Sequence, residues 1–197
     1  MNNAGHRPST PHIVGIGGTT NAASGTQRIL EVALAEAKRA GATTELFCGP
    51  DLVRLPMYAP EEQQRTPEQQ AFLDSVRRAD GLLLATPAYH AGMSGLVKNA
   101  VDLLEDLRGD SRPYLDGRAV GCIVTGFGWQ GCGTTLTSVR TIVHALRGWP
   151  TPLGVTVNTA ERLFDEDRKL IDAKVHGQLA LLAQQVIDFA RHFSIRV

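Results

Sequence analysis

Apolar residues along the chain fall into two alternating patterns. Short apolar runs of strand length occupy His12–Gly17, Thr43–Cys48, Gly81–Thr86, Ala119–Thr125 and Pro152–Val157. Between them apolar residues recur with a helical period. Leu30, Ala33, Leu34 and Ala37 stand at i, i+3, i+4 and i+7, and Gly41 follows where a left-handed residue ends a last turn. A second helix is predicted from Thr66 to Ala79, with Thr66 as cap, Pro67 at the first helical position and Gln69 closing a capping box. A third is predicted to start near Ser94 and a fourth near Gly133. The fifth carries Val175, Leu179, Leu182, Val186 and Phe189 along one stripe. This alternation predicts an α/β fold, a parallel sheet with helices on both faces. Leu82-Leu83-Leu84 and Ile123-Val124 are apolar on consecutive residues, as burial on both sides demands. Residues 1–11 are polar and rich in Pro, Asn and Gly, and are expected to form a flexible tail ahead of a single domain over 12–197. Gly109–Pro113 and Thr159–Asp167 read as ordinary connections.

Charge and composition remove several classes of function. Twenty basic and twenty acidic residues cancel in a chain of 197. That excludes the strongly basic character of a nucleic-acid or membrane-surface binder. No apolar run reaches the roughly 18–20 residues that span a bilayer, and the start lacks the basic-then-apolar order of a secretion signal. Cys48, Cys122 and Cys132 are too scattered for a disulfide framework, no CxxC pair occurs, and the six histidines lack metal-ligand spacing. Cys48 and Cys122 are expected in the core. These features fit a cytoplasmic protein without a metal.

In such sheets ligands bind beyond the carboxyl ends of the strands, so the loops after the first, third and fourth strands are the candidates. The first is Gly17-Gly18-Thr19-Thr20-Asn21-Ala22-Ala23-Ser24-Gly25-Thr26, opening directly into a helix. Hydroxyls and the unpaired amides of a helix start suit a phosphate; the plainer reading is a helix cap on a polar turn. No lysine sits in the loop and the GK[ST] ending is missing, which argues against a nucleoside triphosphate. Gly15-x-Gly17 begins like a dinucleotide fingerprint, but Thr20 stands where its third glycine belongs. The second loop runs from Thr86 through Pro87, Ala88, Tyr89, His90, Ala91 and Gly92 to Asn99. Its small residues suit a flat ligand laid against backbone, with Tyr89 offering its ring or hydroxyl, or serving as a half-buried loop aromatic. His90 reads as a ligand or neighbour contact rather than a general base, for want of a nearby carboxylate. Lys98 and Asn99 read equally as a solvated face and a local cap. In the third loop, Gly126, Phe127, Gly128 and Trp129 line a ligand, or Trp129 is buried between subunits. Cys132, at a helix start, has no base to make it reactive.

These residues together resemble the signature of NADPH-dependent FMN reductases, which show Thr-Pro-Glu-Tyr-Asn-Gly-Ser followed by Gly-x-Leu-Lys-Asn-Ala-x-Asp. Thr86, Pro87 and Tyr89 match, and Gly95, Lys98, Asn99, Ala100 and Asp102 fall in register. Gly17, Ser24 and Thr26 match the phosphate loop, Leu55-Pro56-Met57-Tyr58 the segment after the second strand. Gly126–Gly133 and Leu146-Arg147-Gly148-Trp149 match a third flavin-side region. Where the family often has Ser-x-Arg, this chain has Gly18-Thr19-Thr20, so hydroxyls and amides alone are left for the phosphate and flavin retention is expected to be weaker. Ala88, His90 and Ala91 replace Glu, Asn and Gly.

The resemblance implies a flavodoxin-like doubly wound five-stranded parallel sheet in the order 2-1-3-4-5. It implies FMN held by Gly18, Thr19, Thr20, Asn21, Ser24, Gly25, Thr26, Pro87, Ala88, Tyr89, His90, Ala91, Gly92, Gly126 and Phe127. It further implies NADPH or NADH as reductant, and free flavin, a quinone or an azo compound as acceptor. A homodimer or homotetramer, and a monooxygenase receiving reduced FMN, are the implied partners. No catalytic acid, base or nucleophile is needed, because the cofactor carries the chemistry. Two other readings stay open. One is a flavin-binding carrier or sensor without nicotinamide turnover, which the neutral charge disfavours. The other is a nicotinamide protein without flavin, which would want an acidic residue where Cys48-Gly49-Pro50 precedes Asp51.

Overall fold

A computed structural model describes residues 10–21 and 23–193. Strand β1 (His12–Gly17) leads into helix α1 (Gly25–Arg39), β2 (Thr43–Phe47), a single turn α2 (Gly49–Leu52) and α3 (Pro67–Arg78). There follow β3 (Gly81–Tyr89), β4 (Gly92–Met93), α4 (Gly95–Asp102) and a 3-10 turn (Leu103–Leu107). The chain closes with β5 (Ala119–Gly126), α5 (Trp129–Ala145), β6 (Trp149–Pro150), β7 (Val155–Asn158) and α6 (Ala173–Phe193). Most of the expected tail, residues 1–9, lies outside the described residues. Its last residue, Pro11, is buried, and its carbonyl accepts from the Thr43 N–H at 2.9 Å.

The capping signals act as chemistry requires. Ser24 and Ser94 accept from the third amide of α1 and α4 at 3.2 and 3.3 Å. Thr66 and Gln69 exchange both bonds of a capping box, at 3.0 and 3.3 Å. Helix α1 ends in a Schellman motif: Gly41 has φ +94°, its amide reaches Lys38 O at 3.0 Å, and Ala42 N reaches Ala37 O at 3.1 Å.

The sheet order is β2-β1-β3-β5-β6, with β7 also on β5; all these pairings are parallel, and β4 folds back antiparallel on β3. Five parallel strand positions lie side by side, as expected, but six strands fill them, and β4 adds a seventh as the return arm of a hairpin. The fifth position, expected as Pro152–Val157, is divided. Trp149–Pro150 pairs with the start of β5 and Val155–Asn158 with its end. Pro152 has no N–H for a ladder, and the interruption is held by side chains instead. Arg140 donates to Thr151 O at 2.6 Å, and Gln185 accepts from Leu153 N at 3.1 Å. Helix α5 starts at Trp129, one turn before the expected Gly133, so Trp129 opens a helix rather than sitting in a loop.

Alternating side chains of the central strands enter two cores. Leu82, Leu84, Val120, Cys122 and Val124 face α3, α4 and α5, whereas Leu83, Ala85 and Ile123 face α1 and α6. Cys122 is buried as expected. Cys48 is not a core residue: it is half-buried before α2, its thiol 3.3 Å from the Asp51 carboxylate. At the amino edge of the sheet lies a residue with no sequence signal, Arg118, which is 1% exposed. Its guanidinium donates to the carbonyls of Ala79, Tyr114, Asp116 and Arg77 at 3.0, 3.1, 3.4 and 2.9 Å. Burial, with Arg112 nearby, pulls its pKa down to about 10. It remains a cation at neutral pH, held by carbonyls that include the C-terminal end of α3.

Candidate functional site

Parallel register sets the carboxyl edge. Gly17 ends β1 opposite Ala85, so β3 runs four residues further, from Thr86 to Tyr89, and Gly126 ends β5 opposite Asn158. The loops after β1, β3 and β5 therefore open onto one rim, where the winding direction reverses.

The first loop is fixed from beneath. Gly17 has φ +153°, and a Cβ there would stand 2.1 Å from Ala85 O; a Cβ on Gly49 would stand 1.8 Å from Thr19 O. Only glycines allow the loop to lie this close to β3 and α2. Within it, Thr19 Oγ1 accepts from Asn21 N at 3.2 Å, Asn21 Oδ1 from Ala23 N at 2.8 Å, and Asn21 O from Ser24 N at 3.0 Å. Ser24 is buried and its oxygen is engaged by Gln27 N, which leaves its hydroxyl proton to donate. Thr26 is buried too, its hydroxyl 2.6 Å from that of Thr125. What Thr26 offers outward is its backbone amide, which with that of Gly25 lies in the first turn of α1 and lacks an intrahelical acceptor. Thr19 is half-buried and Thr20 and Asn21 are exposed; Ala22 lies outside the described residues.

The second loop is a hairpin rather than a coil. Strand β3 extends through Pro87–Tyr89, Ala88 pairs with Met93 and Tyr89 with Gly92. His90 and Ala91 are its two turn residues, with φ +51° and +61°. A two-residue turn with both φ values positive matches the twist of the strands and favours Asn-Gly. Here two residues with side chains adopt it, at a cost in backbone strain. Thr86, fully buried, ties the hairpin base: its hydroxyl accepts from Ser94 N at 3.0 Å and donates to Pro87 O at 3.1 Å. Tyr89 is 57% exposed, and His90 has no hydrogen bond or ion pair among the described residues.

The rest of the signature divides between support and surface. Asn99 is 7% exposed and holds the segment after α2: it donates to Leu55 O at 3.2 Å and Pro56 O at 3.1 Å and accepts from Tyr58 N at 2.7 Å. This clamp is neither a solvated face nor a local cap. Lys98 pairs with Asp102 at 2.7 Å on the exposed side of α4. Across the rim, Gly128 N donates to Asn158 Oδ1 at 3.1 Å, and Phe127 and Trp129 are 89% and 56% exposed. Cys132 is buried beneath Gly126, and burial pushes its thiol up, against thiolate formation despite its place near a helix start. Among the described residues no group of three or more His, Cys, Asp or Glu could hold a metal ion, and no helix is long and apolar enough to cross a membrane.

The arrangement can take a flat phosphate ester along the rim. Two helix-start amides and the Thr19, Thr20 and Ser24 hydroxyls lie at one end, with no acidic residue between Gly17 and Thr26 to repel an anion. The hairpin and the Gly126–Phe127 turn, lined by small residues and exposed rings, lie beyond. The strand order and this rim define a flavodoxin-like α/β protein.

The chain belongs to the NADPH-dependent FMN reductase family, which it matches over residues 11–162. It is 32% identical to a 2-hydroxy-1,4-benzoquinone reductase from Burkholderia sp. over 130 residues, 62% of this chain and 63% of that protein. To an FMN-dependent NADPH-azoreductase from Staphylococcus haemolyticus it is 28% identical over 123 residues, 61% and 62% of the two chains. The matches thus span a little under two thirds of those relatives. Among solved structures, the apo form of an NADH:FMN oxidoreductase shares the fold, with a TM-score of 0.67 at 22% identity over 95% of this chain and 90% of that one.

Proposed function

We propose that this chain, as one flavin-binding domain over residues 12–197, is an FMN-dependent NAD(P)H oxidoreductase that reduces small acceptors such as a quinone, an azo compound or free flavin. Family membership and the named reductase relatives support this reading. The observation that carries it is the convergence, by strand register, of the α1 amides, the Tyr89 hairpin and the Gly126–Phe127 turn on one rim.

FMN, when bound, supplies the passage of hydride between reduced nicotinamide and the acceptor. The chain's own residues bind, orient and exclude water. Gly25 N, Thr26 N and the hydroxyls of Thr19, Thr20 and Ser24 would hold the phosphate, with Gly18 and Asn21 shaping the turn. Pro87, Ala88, Tyr89, His90, Ala91 and Gly92 would lie along the ring, with the amides of the His90–Ala91 turn facing its oxygens and nitrogens and Pro87, which has no N–H, offering only its apolar ring. Gly126 and Phe127 would close the other side. In this reading no proton need be held by a side chain. The exposed rings of Phe127 and Trp129 suit coverage by a second copy, so a homodimer or homotetramer in the cytoplasm completes the proposal. Delivery of reduced FMN to a monooxygenase is one use of such an enzyme.

The test is a titration of the purified protein with FMN, followed by absorbance on adding NADPH and a quinone. Ser24→Asp is the informative variant. Asp caps helices as well as Ser does, so the fold is expected to survive with its Tm little changed. A carboxylate beside the phosphate is expected to weaken FMN binding at least about 100-fold. Unchanged FMN affinity would remove this loop from the site, and FMN binding without NADPH oxidation would favour an electron carrier.

A further inference from the structure

Outside the rim, the flank of α1 and the connection between β7 and α6 enclose a groove of about 570 Å³. Gln27, Arg28, Glu31, Val32 and Ala35 line it from α1, and Phe164 and Arg168 from the connection. Phe164 and Arg168 lie beyond the stretch that matches the family. The Arg28 guanidinium lies over the Phe164 ring, 5.5 Å from its centroid, and its Nε is buried without a hydrogen-bond partner. Arg168 stands in a turn at φ +65° and forms no ion pair among the described residues. Glu31 is engaged by Gln27 at 2.8 Å rather than by either arginine. The acidic run on the same connection does not fill the groove: Asp165 accepts from Lys169 N at 2.8 Å, and Glu166 and Asp167 do not line it. A cation four residues into a helix is also disfavoured by the helix dipole, so Arg28 has no local electrostatic reason to be there.

We propose that this groove binds the adenosine half of NADPH, with Arg28 stacked on the adenine and Arg168 and Arg28 facing its 2′-phosphate. The inference rests on the reading of the rim as the flavin site. Gln27 joins the two, for its Cβ would be 3.5 Å from a Cβ built on Gly18 of the phosphate loop. A dinucleotide whose nicotinamide lies near the Tyr89 hairpin, at the far end of the flavin from that loop, can extend past it along α1. Arginine offers both a planar stacking face and a fork of donors for a phosphate monoester, and the 2′-phosphate is the feature that separates NADPH from NADH.

The test uses the full chain, with adenosine 2′,5′-bisphosphate and adenosine 5′-monophosphate as probes in calorimetric titrations. The bisphosphate is expected to bind and the monophosphate to bind at least about tenfold more weakly. Arg168→Gln is expected to raise KM for NADPH about tenfold and leave kcat, KM for NADH and FMN affinity unchanged. Arg28→Gln, which also removes the stack on the adenine, is expected to raise KM for both nucleotides, that for NADPH more, with FMN affinity unchanged. Equal loss for NADH and NADPH in Arg168→Gln, or bisphosphate binding unaltered in both variants, would overturn the assignment. Each variant is titrated with FMN as well. Normal FMN binding with no NADPH preference sinks only this groove, whereas failure of the parent chain to bind FMN sinks the reading of the rim.

Discussion

Arg118 and Asn99 illustrate what single buried polar residues do in this protein. Each sits where a polar group is costly unless partnered, and each is held by several backbone groups. Arg118→Met replaces the cation by an apolar chain of similar length and leaves the carbonyls of Ala79 and Arg77 without their donor. We expect a loss of about 2–4 kcal/mol in urea unfolding, with little effect on FMN affinity because the residue lies at the opposite edge of the sheet. Asn99→Ala removes three hydrogen bonds to the Leu55–Tyr58 segment. It is expected to cost about 2–3 kcal/mol and to speed amide exchange there, Tyr58 N–H above all. Exchange confined to global unfolding would show that the clamp is dispensable.

Among the elements, the β3–β4 hairpin carries strain that its sequence could avoid. Alanine in a left-handed conformation costs about 1–2 kcal/mol, offset in part by the greater freedom of an unfolded glycine. Ala91→Gly is therefore expected to stabilise the protein by about 0.5–1 kcal/mol, seen as a higher Tm; a lower Tm would mean that the Ala91 methyl makes packing contacts that outweigh the strain. Elsewhere the elements agree with their local signals. The capping box at Thr66, the start of α4 near Ser94 and the Gly41 terminus were legible, because each depends only on residues within one turn. Helix α5 begins one turn before its predicted start. Four of its early residues, Gln130 to Gly133, include two glycines and give no periodic apolar signal, yet the helix forms because Cys132 and Thr135 are buried against the sheet.

At the scale of the molecule, the Thr26–Thr125 contact joins the start of α1 to the end of β5 across 99 residues. A double-mutant cycle with Thr26→Val and Thr125→Val is expected to give a coupling of about 1 kcal/mol in denaturant unfolding. Additive losses would show the two hydroxyls to be independent. Such a contact has no trace in local patterning, and the same holds for the division of the fifth strand position and the burial of Arg118. The α/β class, the approximate places of the five longer helices and the three glycine-rich loops follow from the order of residues alone, since periodicity, caps and turn glycines act over a few residues, whereas the short α2 and the first turn of α5 do not. The family signature likewise marked the Thr86–Asp102 region without showing that Asn99 is a clamp and Lys98 a surface ion pair. Tertiary structure alone decided which hydroxyls face outward. Thr26 spends its side chain on Thr125 and Thr20 keeps its own exposed, because helix and strand must first meet before any donor is left over for a ligand.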